Sequence, residues 1–294
     1  MVKRKLPINQ VIRGDCCDIL ETLPQGSVDL VFTSPPYEDA RTYGMDYKLK
    51  GEKWVEWSLH RFIQTHRICR GLNAWVVNGR TRKFQWSTVP MLLYADLHRA
   101  GIPLRKPPVF HRVGIPGSGG PDWLRDDYEF VLCSSKGKLP WSDNTACGHP
   151  PKWGRGGEMS HRTTKGTRIN QRGHSLASGA TVVQKGGVVR SKGRRPSHVE
   201  SPLPVLANPG NIIEALVGGG VMGSKLCHEH PAPFPEKLAE FFIKSFCPPN
   251  GIVLDPFCGS GTTLAVAKRL GRRYIGIDIS AEYVALSKRR LSEV

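Results

Sequence analysis

The strongest constraint on the fold is the alternation of short apolar runs with amphipathic, helix-like segments at both ends of the chain. Short apolar runs are typical of strands buried on both faces. Their alternation with helices favours an open, mostly parallel sheet covered on both faces, which is an α/β architecture. The predicted strands are 28–33, 74–77, 109–110, 129–133, 252–254 and 274–277. The predicted helices lie around 55–63, 91–97, 235–242, 262–270 and 282–291.

The alternation stops in the middle of the chain. Of the 32 glycines, 20 fall between Gly114 and Gly223, and glycine disfavours long helices because of its backbone entropy. We therefore predict three regions: residues 1–138 and 226–294, which alternate strands and helices, and a Gly/Arg-rich insert at 139–225.

The insert also carries most of the charge. The chain has 42 Lys and Arg against 25 Asp and Glu, a net charge of +17, and residues 152–195 hold eleven cations and one acid, Glu158. Charge of one sign suits binding to a polyanion such as nucleic acid, and a flexible, solvated insert is the alternative. The cations expected to contact phosphates are Arg155, Arg162, Lys165, Arg168, Arg172, Arg190, Lys192, Arg194 and Arg195.

Several protein classes are not favoured by this sequence. It has no apolar run of 18 residues, so no transmembrane helix is predicted, and no apolar segment follows the basic N-terminus as in a secretory signal. We expect an intracellular protein. The eight cysteines form no C-x-x-C pair and are expected to be reduced thiols. The Cys-His-Glu-His cluster at 227–230 lacks paired ligand spacing, and no metal site is predicted.

A loop with two closely spaced glycines, residues 255–263, follows the predicted strand 252–254 and precedes a helix. We call it the glycine loop, because Gly259 and Gly261 allow a tight turn and a close approach of ligand to backbone. A third glycine at dinucleotide spacing and a Gly-Lys-Ser/Thr sequence are both missing, which argues against a pyrophosphate ligand. Asp278 ends the next strand, where a carboxylate can accept hydrogen bonds from ribose hydroxyls. These features predict a nucleoside without a phosphate, such as S-adenosylmethionine.

A second loop, Thr33-Ser-Pro-Pro-Tyr37, directly follows the strand predicted at 28–33 and is called the proline loop below. Two prolines fix φ and remove two N–H donors, so the loop is stiff and its carbonyls are available as acceptors. Ser34 adds a hydroxyl and Tyr37 an aromatic face. The loop can therefore hold a planar group that bears an NH2, although a plain Pro-Pro turn at the end of a strand is the alternative.

Together the two loops resemble those of the amino-group DNA methyltransferases, which methylate cytosine N4 or adenine N6. The segment His-Pro-Ala-Pro-Phe-Pro-Glu-Lys-Leu at 230–238 and the pair Gly14-Asp15 are similar to two further motifs of that family. The order of the motifs, with the proline loop before the glycine loop, is similar to the β group. The resemblance implies a Rossmann-like methyltransferase fold with seven strands, one of them antiparallel, and with the strands that end near Phe32 and Leu254 adjacent.

The resemblance also implies roles for individual residues. Ser34, Pro35, Pro36 and Tyr37 would be catalytic: the Ser34 hydroxyl and the Pro35 carbonyl accept the amine hydrogens, and Tyr37 stacks on a target base flipped out of double-stranded DNA. The residues implied to bind S-adenosylmethionine are Asp15, Phe234, Pro235, Lys237, Asp255, Phe257, Gly259, Ser260, Gly261, Thr262 and Asp278. The insert would be the target recognition region.

Serine at position 34 favours cytosine N4, because family members with Asp at this position usually act on adenine; adenine N6 is the first alternative. An RNA or protein methyltransferase and a non-catalytic DNA-binding relative are further alternatives. A cognate restriction endonuclease is a possible partner. We expect a monomer or a homodimer, in the cytoplasm or associated with the nucleoid.

Overall fold

A central sheet positions both loops. The computed structural model describes residues 6–39, 49–114, 121–150, 158–162, 168–172, 206–217, 222–224, 226, 229, 230 and 233–294. The chain divides into two compact units, one formed by residues 1–147 and 210–294 and the other by residues 148–209. The sheet belongs to the first unit, and the second lies within the stretch predicted as the insert.

The structure contains the strands and helices expected from the sequence, together with several short ones that the apolar pattern did not indicate. The strands are β1 (Gln10–Arg13), β2 (Val28–Thr33), β3 (Cys69–Val77), β4 (Thr81–Arg82), β5 (Gln85–Trp86), β6 (Leu104–Arg105), β7 (Val109–Val113), β8 (Tyr128–Ser134), β9 (Glu158–Arg162), β10 (Arg168–Arg172), β11 (Ile212–Leu216), β12 (Ile252–Asp255) and β13 (Arg273–Asp278). The helices are α1 (Cys16–Thr22), α2 (Glu52–Ile68), α3 (Val89–Arg99), α4 (Glu236–Phe246), α5 (Thr262–Arg269) and α6 (Ala281–Ser292).

The strands of the large sheet lie in the order β1-β13-β12-β2-β3-β8-β7-β11, and β6 also pairs with β8. Within the described part of this sheet, β8 alone runs against the other strands. The predicted α/β class, the mostly parallel sheet and the single reversed strand are confirmed. In addition, β4 pairs with β5 and β9 with β10 in separate two-stranded ribbons.

The predicted number of seven strands is wrong, because the sheet has nine among the residues that the structure describes. In β1 only Val11 is buried, so no apolar run marks that strand. β6 and β7 pair with successive stretches of β8, and the prolines at 107 and 108, which have no N–H to donate, separate them. β11 alternates exposed and buried residues, and it pairs in parallel with β7 although the sequence predicted an insert there.

Side chains from the two faces of the sheet enter two separate apolar cores. One core joins strand residues such as Phe32 and Val253 to α4, α5 and α6, for example through Phe242. The other joins Val31 and Leu254 to α1, α2 and α3. Because neighbouring strand residues point to opposite faces, a strand buried on both sides must be apolar throughout, as β2 and β12 are at most positions. None of the helices described is long and apolar enough to cross a membrane.

Candidate active site

The glycine loop and the proline loop meet at the carboxyl edge of the sheet. β2 and β12 are parallel neighbours, with Leu30 opposite Val253 and Val31 opposite Leu254, which confirms the predicted adjacency. The residues that end these strands are bonded to each other, since Thr33 Oγ1 donates to Asp255 Oδ1 at 2.6 Å. A buried side-chain hydrogen bond thus connects the bases of the two loops.

Asp255 lies beneath the glycine loop and is almost fully buried. Its Oδ1 also accepts from the backbone N–H of Phe257 at 3.1 Å, which shapes the first turn of the loop. Burial raises the pKa of Asp255 to about 6, although the hydrogen bond from Thr33 opposes this rise. These contacts give Asp255 a role in holding the loop.

The glycines of the loop are needed for both conformation and space. Gly261 has φ of +78° and is the N-cap of α5, and a Cβ there would lie 2.9 Å from Ser287 Oγ. Gly259 has φ of +49°, and a Cβ there would lie 2.8 Å from His230 Nε2. Left-handed backbone without room for a side chain restricts both positions to glycine. Ser287 Oγ donates to the Gly259 carbonyl at 2.6 Å, so α6 also fixes the loop.

Asp278 ends β13 and faces the same loop. Its Oδ2 accepts from the Gly259 N–H at 2.9 Å, and its Oδ1 accepts from the Ser280 N–H at 2.9 Å. Burial raises the pKa of this carboxyl group. Each carboxylate oxygen can accept further hydrogen bonds, so Asp278 keeps acceptor capacity towards a ligand.

One cavity of about 230 Å³ opens between the two loops. Nine of the residues predicted for the site line it: Asp15, Ser34, Pro36, Phe234, Phe257, Gly259, Ser260, Thr262 and Asp278. The structure does not bring the other six predicted residues to its wall: Pro35, Tyr37, Pro235, Lys237, Asp255 and Gly261. Pro235 is the N-cap of α4, and Lys237 is exposed on that helix.

The proline loop is held by side chains of α2 and β8. Trp54 Nε1, on α2, donates to the Pro36 carbonyl at 2.8 Å. Tyr37 Oη donates to Glu129 Oε2, on β8, at 2.6 Å. Ser34 Oγ in turn donates to Tyr37 Oη at 3.4 Å. Arg112 Nη1 lies 3.3 Å from Glu129 Oε1. Burial raises the pKa of Glu129, although the bond from Tyr37 and the charge of Arg112 oppose this rise.

The residues of α2 that line the cavity were not predicted from the sequence. Trp57 and Arg61 line the cavity, and the Arg61 guanidinium lies 4.1 Å from the centre of the Trp57 ring. Arg61 Nη2 pairs with Asp15 Oδ2 at 3.0 Å, while Asp15 caps α1 by accepting from the Cys17 N–H. A signal for this contact was present in the sequence, because Trp57 and Arg61 are four residues apart and therefore lie on one side of a helix. The prediction of that helix used only its apolar residues.

The ligand atoms of Asp15, Cys16 and Cys17 lie within 4.8 Å of one another, a grouping that could suit a metal ion. Arg61 already neutralises Asp15, however, and its positive charge disfavours a cation there. Cys227 and His228, of the cluster at 227–230, lie outside the described residues. The seven cysteines that the structure describes are free thiols.

The predicted DNA-contacting cations belong to the unit formed by residues 148–209. Three of them lie in its two-stranded ribbon, where the backbone of Arg162 lies opposite that of Arg168 and the backbone of Arg172 lies opposite that of Glu158. The other six, Arg155, Lys165, Arg190, Lys192, Arg194 and Arg195, lie outside the described residues.

Comparison with known proteins gives concordant matches. Residues 28–289 match the N6/N4 methyltransferase family model, described as DNA methylase. The orphan methyltransferase M.BamHII of Bacillus amyloliquefaciens is 30% identical over 281 residues, which are 92% of this chain and 91% of that protein. The DNA adenine methyltransferase YhdJ of Escherichia coli K12 is 25% identical over 284 residues, which are 96% of this chain and 82% of that protein.

Solved structures share the fold. The cytosine-N4-specific PvuII DNA methyltransferase superposes with a TM-score of 0.63 at 24% identity, covering 95% of this chain and 85% of that chain. M1.HpyAVI, solved as a complex with S-adenosylmethionine, gives a TM-score of 0.50 at 21% identity, covering 96% of this chain and 99% of that chain.

Proposed function

The chain belongs to the DNA methylase family, and on this premise we propose that it transfers the methyl group of S-adenosylmethionine to N4 of a flipped cytosine in double-stranded DNA. One observation supports this proposal most strongly. Ser34 and Pro36 of the proline loop share a single cavity with Phe257, Gly259 and Asp278. An amine held by one loop and a methyl donor held by the other would then be close enough to react.

S-adenosylmethionine is the methyl donor of this family, and when bound it supplies a methyl group on a positively charged sulfur. The residues present fit such a ligand. Gly259 lines the cavity, Asp278 offers acceptors for ribose hydroxyls, and Phe257 and Trp57 offer aromatic surface to an adenine ring. Asp15, Phe234, Ser260 and Thr262 complete the proposed binding residues, while Pro235, Lys237, Asp255 and Gly261 would act by shaping the surrounding backbone.

The proline loop would activate the amine. An exocyclic base amine is a poor nucleophile because its lone pair is delocalised into the ring. Ser34 Oγ and the Pro35 carbonyl, as acceptors for the two amine hydrogens, would favour a pyramidal nitrogen and release the lone pair. Fixed acceptors of this kind lower the barrier because they need no reorganisation during the reaction. Tyr37, whose hydroxyl is held by Glu129, would stack on the base.

We propose cytosine as the target because Ser34 is a neutral acceptor, whereas members of the amino-group methyltransferases that carry Asp at this position usually act on adenine. The second candidate is adenine N6, since the relative YhdJ is an adenine methyltransferase. The test is mass spectrometry of nucleosides from unmethylated duplex DNA incubated with the purified protein and S-adenosylmethionine. N4-methylcytosine is the expected product. N6-methyladenine alone would overturn the choice of base, and no methylated DNA base would overturn the proposed function.

We propose that the unit formed by residues 148–209, within the insert predicted at 139–225, is the target recognition region and that its cations bind DNA phosphates. Replacing Arg190, Lys192, Arg194 and Arg195 with Ala should make the dependence of log affinity on log salt shallower by up to about 0.9 per lost contact. The readout is DNA binding measured at several salt concentrations, with affinity for S-adenosylmethionine as the control that should not change. An unchanged slope would remove this run from the DNA interface.

We further propose that the protein acts in the cytoplasm or at the nucleoid, as a monomer or homodimer, with a restriction endonuclease as a possible partner. Mass photometry of the purified protein with and without duplex DNA tests the oligomeric state. Co-purification from its native host tests for the endonuclease.

A further inference from the structure

A small basic hairpin extends from the carboxyl edge of the sheet, directly after β3. It comprises residues 80–86, with β4 and β5 as its two strands, and all seven residues are exposed. Arg80, Arg82 and Lys83 give it three positive charges, and it contains no acidic residue. Phe84 is 77% exposed, which is unusual for a large apolar side chain.

The turn of the hairpin has a backbone conformation that is unfavourable for its residues. Lys83 and Phe84 are its two connecting residues, and their φ angles are +49° and +64°. Two-residue turns with positive φ normally use Asn or Gly, because other side chains strain the backbone there. A strained turn that displays a cation and an aromatic ring indicates a binding role.

The hairpin is tied to the segment that follows the proline loop. The Arg80 N–H donates to Glu38 Oε1 at 3.3 Å, and Arg80 Nη1 donates to the Asp39 carbonyl at 2.8 Å. Arg82 forms an ion pair with Asp39. On the other strand, the Trp86 ring lies 6.4 Å from that of Phe130, the neighbour of Glu129, which holds Tyr37. The hairpin is therefore anchored on both sides to elements that fix the proline loop.

We infer that this hairpin contacts the DNA duplex beside the target base, with Lys83 at a phosphate and Phe84 in the space that the flipped base leaves. Duplex DNA is the partner that matches both features: its phosphates complement the exposed cation of Lys83, and its bases present flat faces for the aromatic ring of Phe84. The inference rests on the proposed function, since it requires a flipped base. A second copy of the chain or an acidic protein surface would use the cations without requiring a flipped base.

The first test compares Phe84→Ala with the wild type on two unmethylated duplexes that contain the sequence which the wild type methylates. In one duplex the target base is paired, and in the other it is mismatched. A mismatched base flips more easily, so help from Phe84 matters less there. We expect kcat/KM to fall on the order of 10-fold on the paired duplex, because a lost base–aromatic stack has about this effect, and much less on the mismatched one. Phe84→Trp should retain most activity. Equal activity of Phe84→Ala and wild type, or an equal loss on both duplexes, would overturn the position assigned to Phe84.

The second test does not need catalysis. Lys83→Ala should make the salt dependence of binding to duplex DNA shallower by about 0.9 in the log–log slope. The matched control is Lys138→Ala, which should leave the slope unchanged. Lys138 is exposed and follows the end of β8, whereas the hairpin contacts Phe130 near the start of that strand. Equal slopes for Lys83→Ala and the wild type, or a change only in oligomeric state, would overturn the DNA contact. If the wild type methylates no DNA base, the proposed function fails whatever this slope shows.

Discussion

The glycine loop and the proline loop follow neighbouring parallel strands and reach the same cavity, but different parts of the chain hold them. The glycine loop is fixed largely by residues that follow it in the chain, through Asp278, Ser287 and Arg290, whose bonds span 19 to 28 positions. The proline loop is fixed by one nearby residue, Trp54, which lies 18 positions from Pro36, and by two distant bonds, to Glu129 and Asp255, which span 92 and 222 positions.

The two loops therefore differ in how far along the chain their stabilising contacts reach. The contacts of the glycine loop come mainly from the elements that follow it, β13 and α6. A loop that is fixed by distant side chains depends on the complete sheet. We expect the glycine loop to control cofactor affinity and the proline loop to control turnover, and four changes test this division.

The largest effect is expected for Gly261→Val. The new side chain would meet Ser287 in a backbone region that disfavours non-glycine residues, so we expect binding of S-adenosylmethionine to weaken about 100-fold or more. Isothermal titration calorimetry measures the loss. The matched control is Gly101→Val, where φ is +74° and no atom lies within 4 Å. If Gly101→Val lost binding equally, general backbone strain would explain the result.

Ser34→Ala should lower kcat by about 100-fold, since one fixed acceptor for the reacting group is typically worth this much. Affinities for S-adenosylmethionine and DNA should stay close to those of the wild type, because the lost interaction is made mainly in the transition state. Single-turnover methylation together with binding titrations measures the two effects separately. Full activity of this variant would reduce the proline loop to a turn that ends β2.

Tyr37→Phe tests the bond to Glu129. The ring that would stack on the base is kept, but Glu129 Oε2 loses its donor, and an unsatisfied buried acceptor costs about 1–3 kcal/mol. We expect a lower unfolding free energy and a moderate loss of kcat/KM, with cofactor affinity unchanged. The control is Glu129→Gln combined with Tyr37→Phe: if the two residues act through their mutual bond, the double variant should lose less than the sum of the single losses. Additive losses would show that they act independently.

The smallest effect is a pH dependence due to Asp255. Its pKa is about 6 in the folded protein and about 4 when unfolded, so the native state binds the extra proton between these values. Its contribution to stability is present at low pH and is lost as the pH rises through 6. Relative to Asp255→Asn, the wild type should lose about 1 kcal/mol of unfolding free energy between pH 5 and pH 7. Denaturant unfolding at both pH values measures it, and a constant difference between the two proteins would contradict it.

Much of this protein could be predicted from its sequence because the signals are local. The apolar runs of β2 and β12 are buried on both faces and predicted the parallel sheet. The spacing of Gly259 and Gly261 predicted a tight turn, and both glycines have the left-handed backbone that other residues rarely adopt. Strands such as β1 and β11 have weak apolar signals, because an edge strand buries less of its surface, and they were missed.

Tertiary structure alone decided which side chains complete the site. Nothing near Tyr37 in the sequence indicates Glu129, which lies 92 residues away and reaches it because β8 is inserted in reverse beside β3. Trp57 and Arg61 reach the cavity only because α2 packs its apolar side on the sheet and leaves this pair at the edge. Local chemistry can be read from a short segment, whereas contacts between distant segments depend on strand order, which no short segment contains.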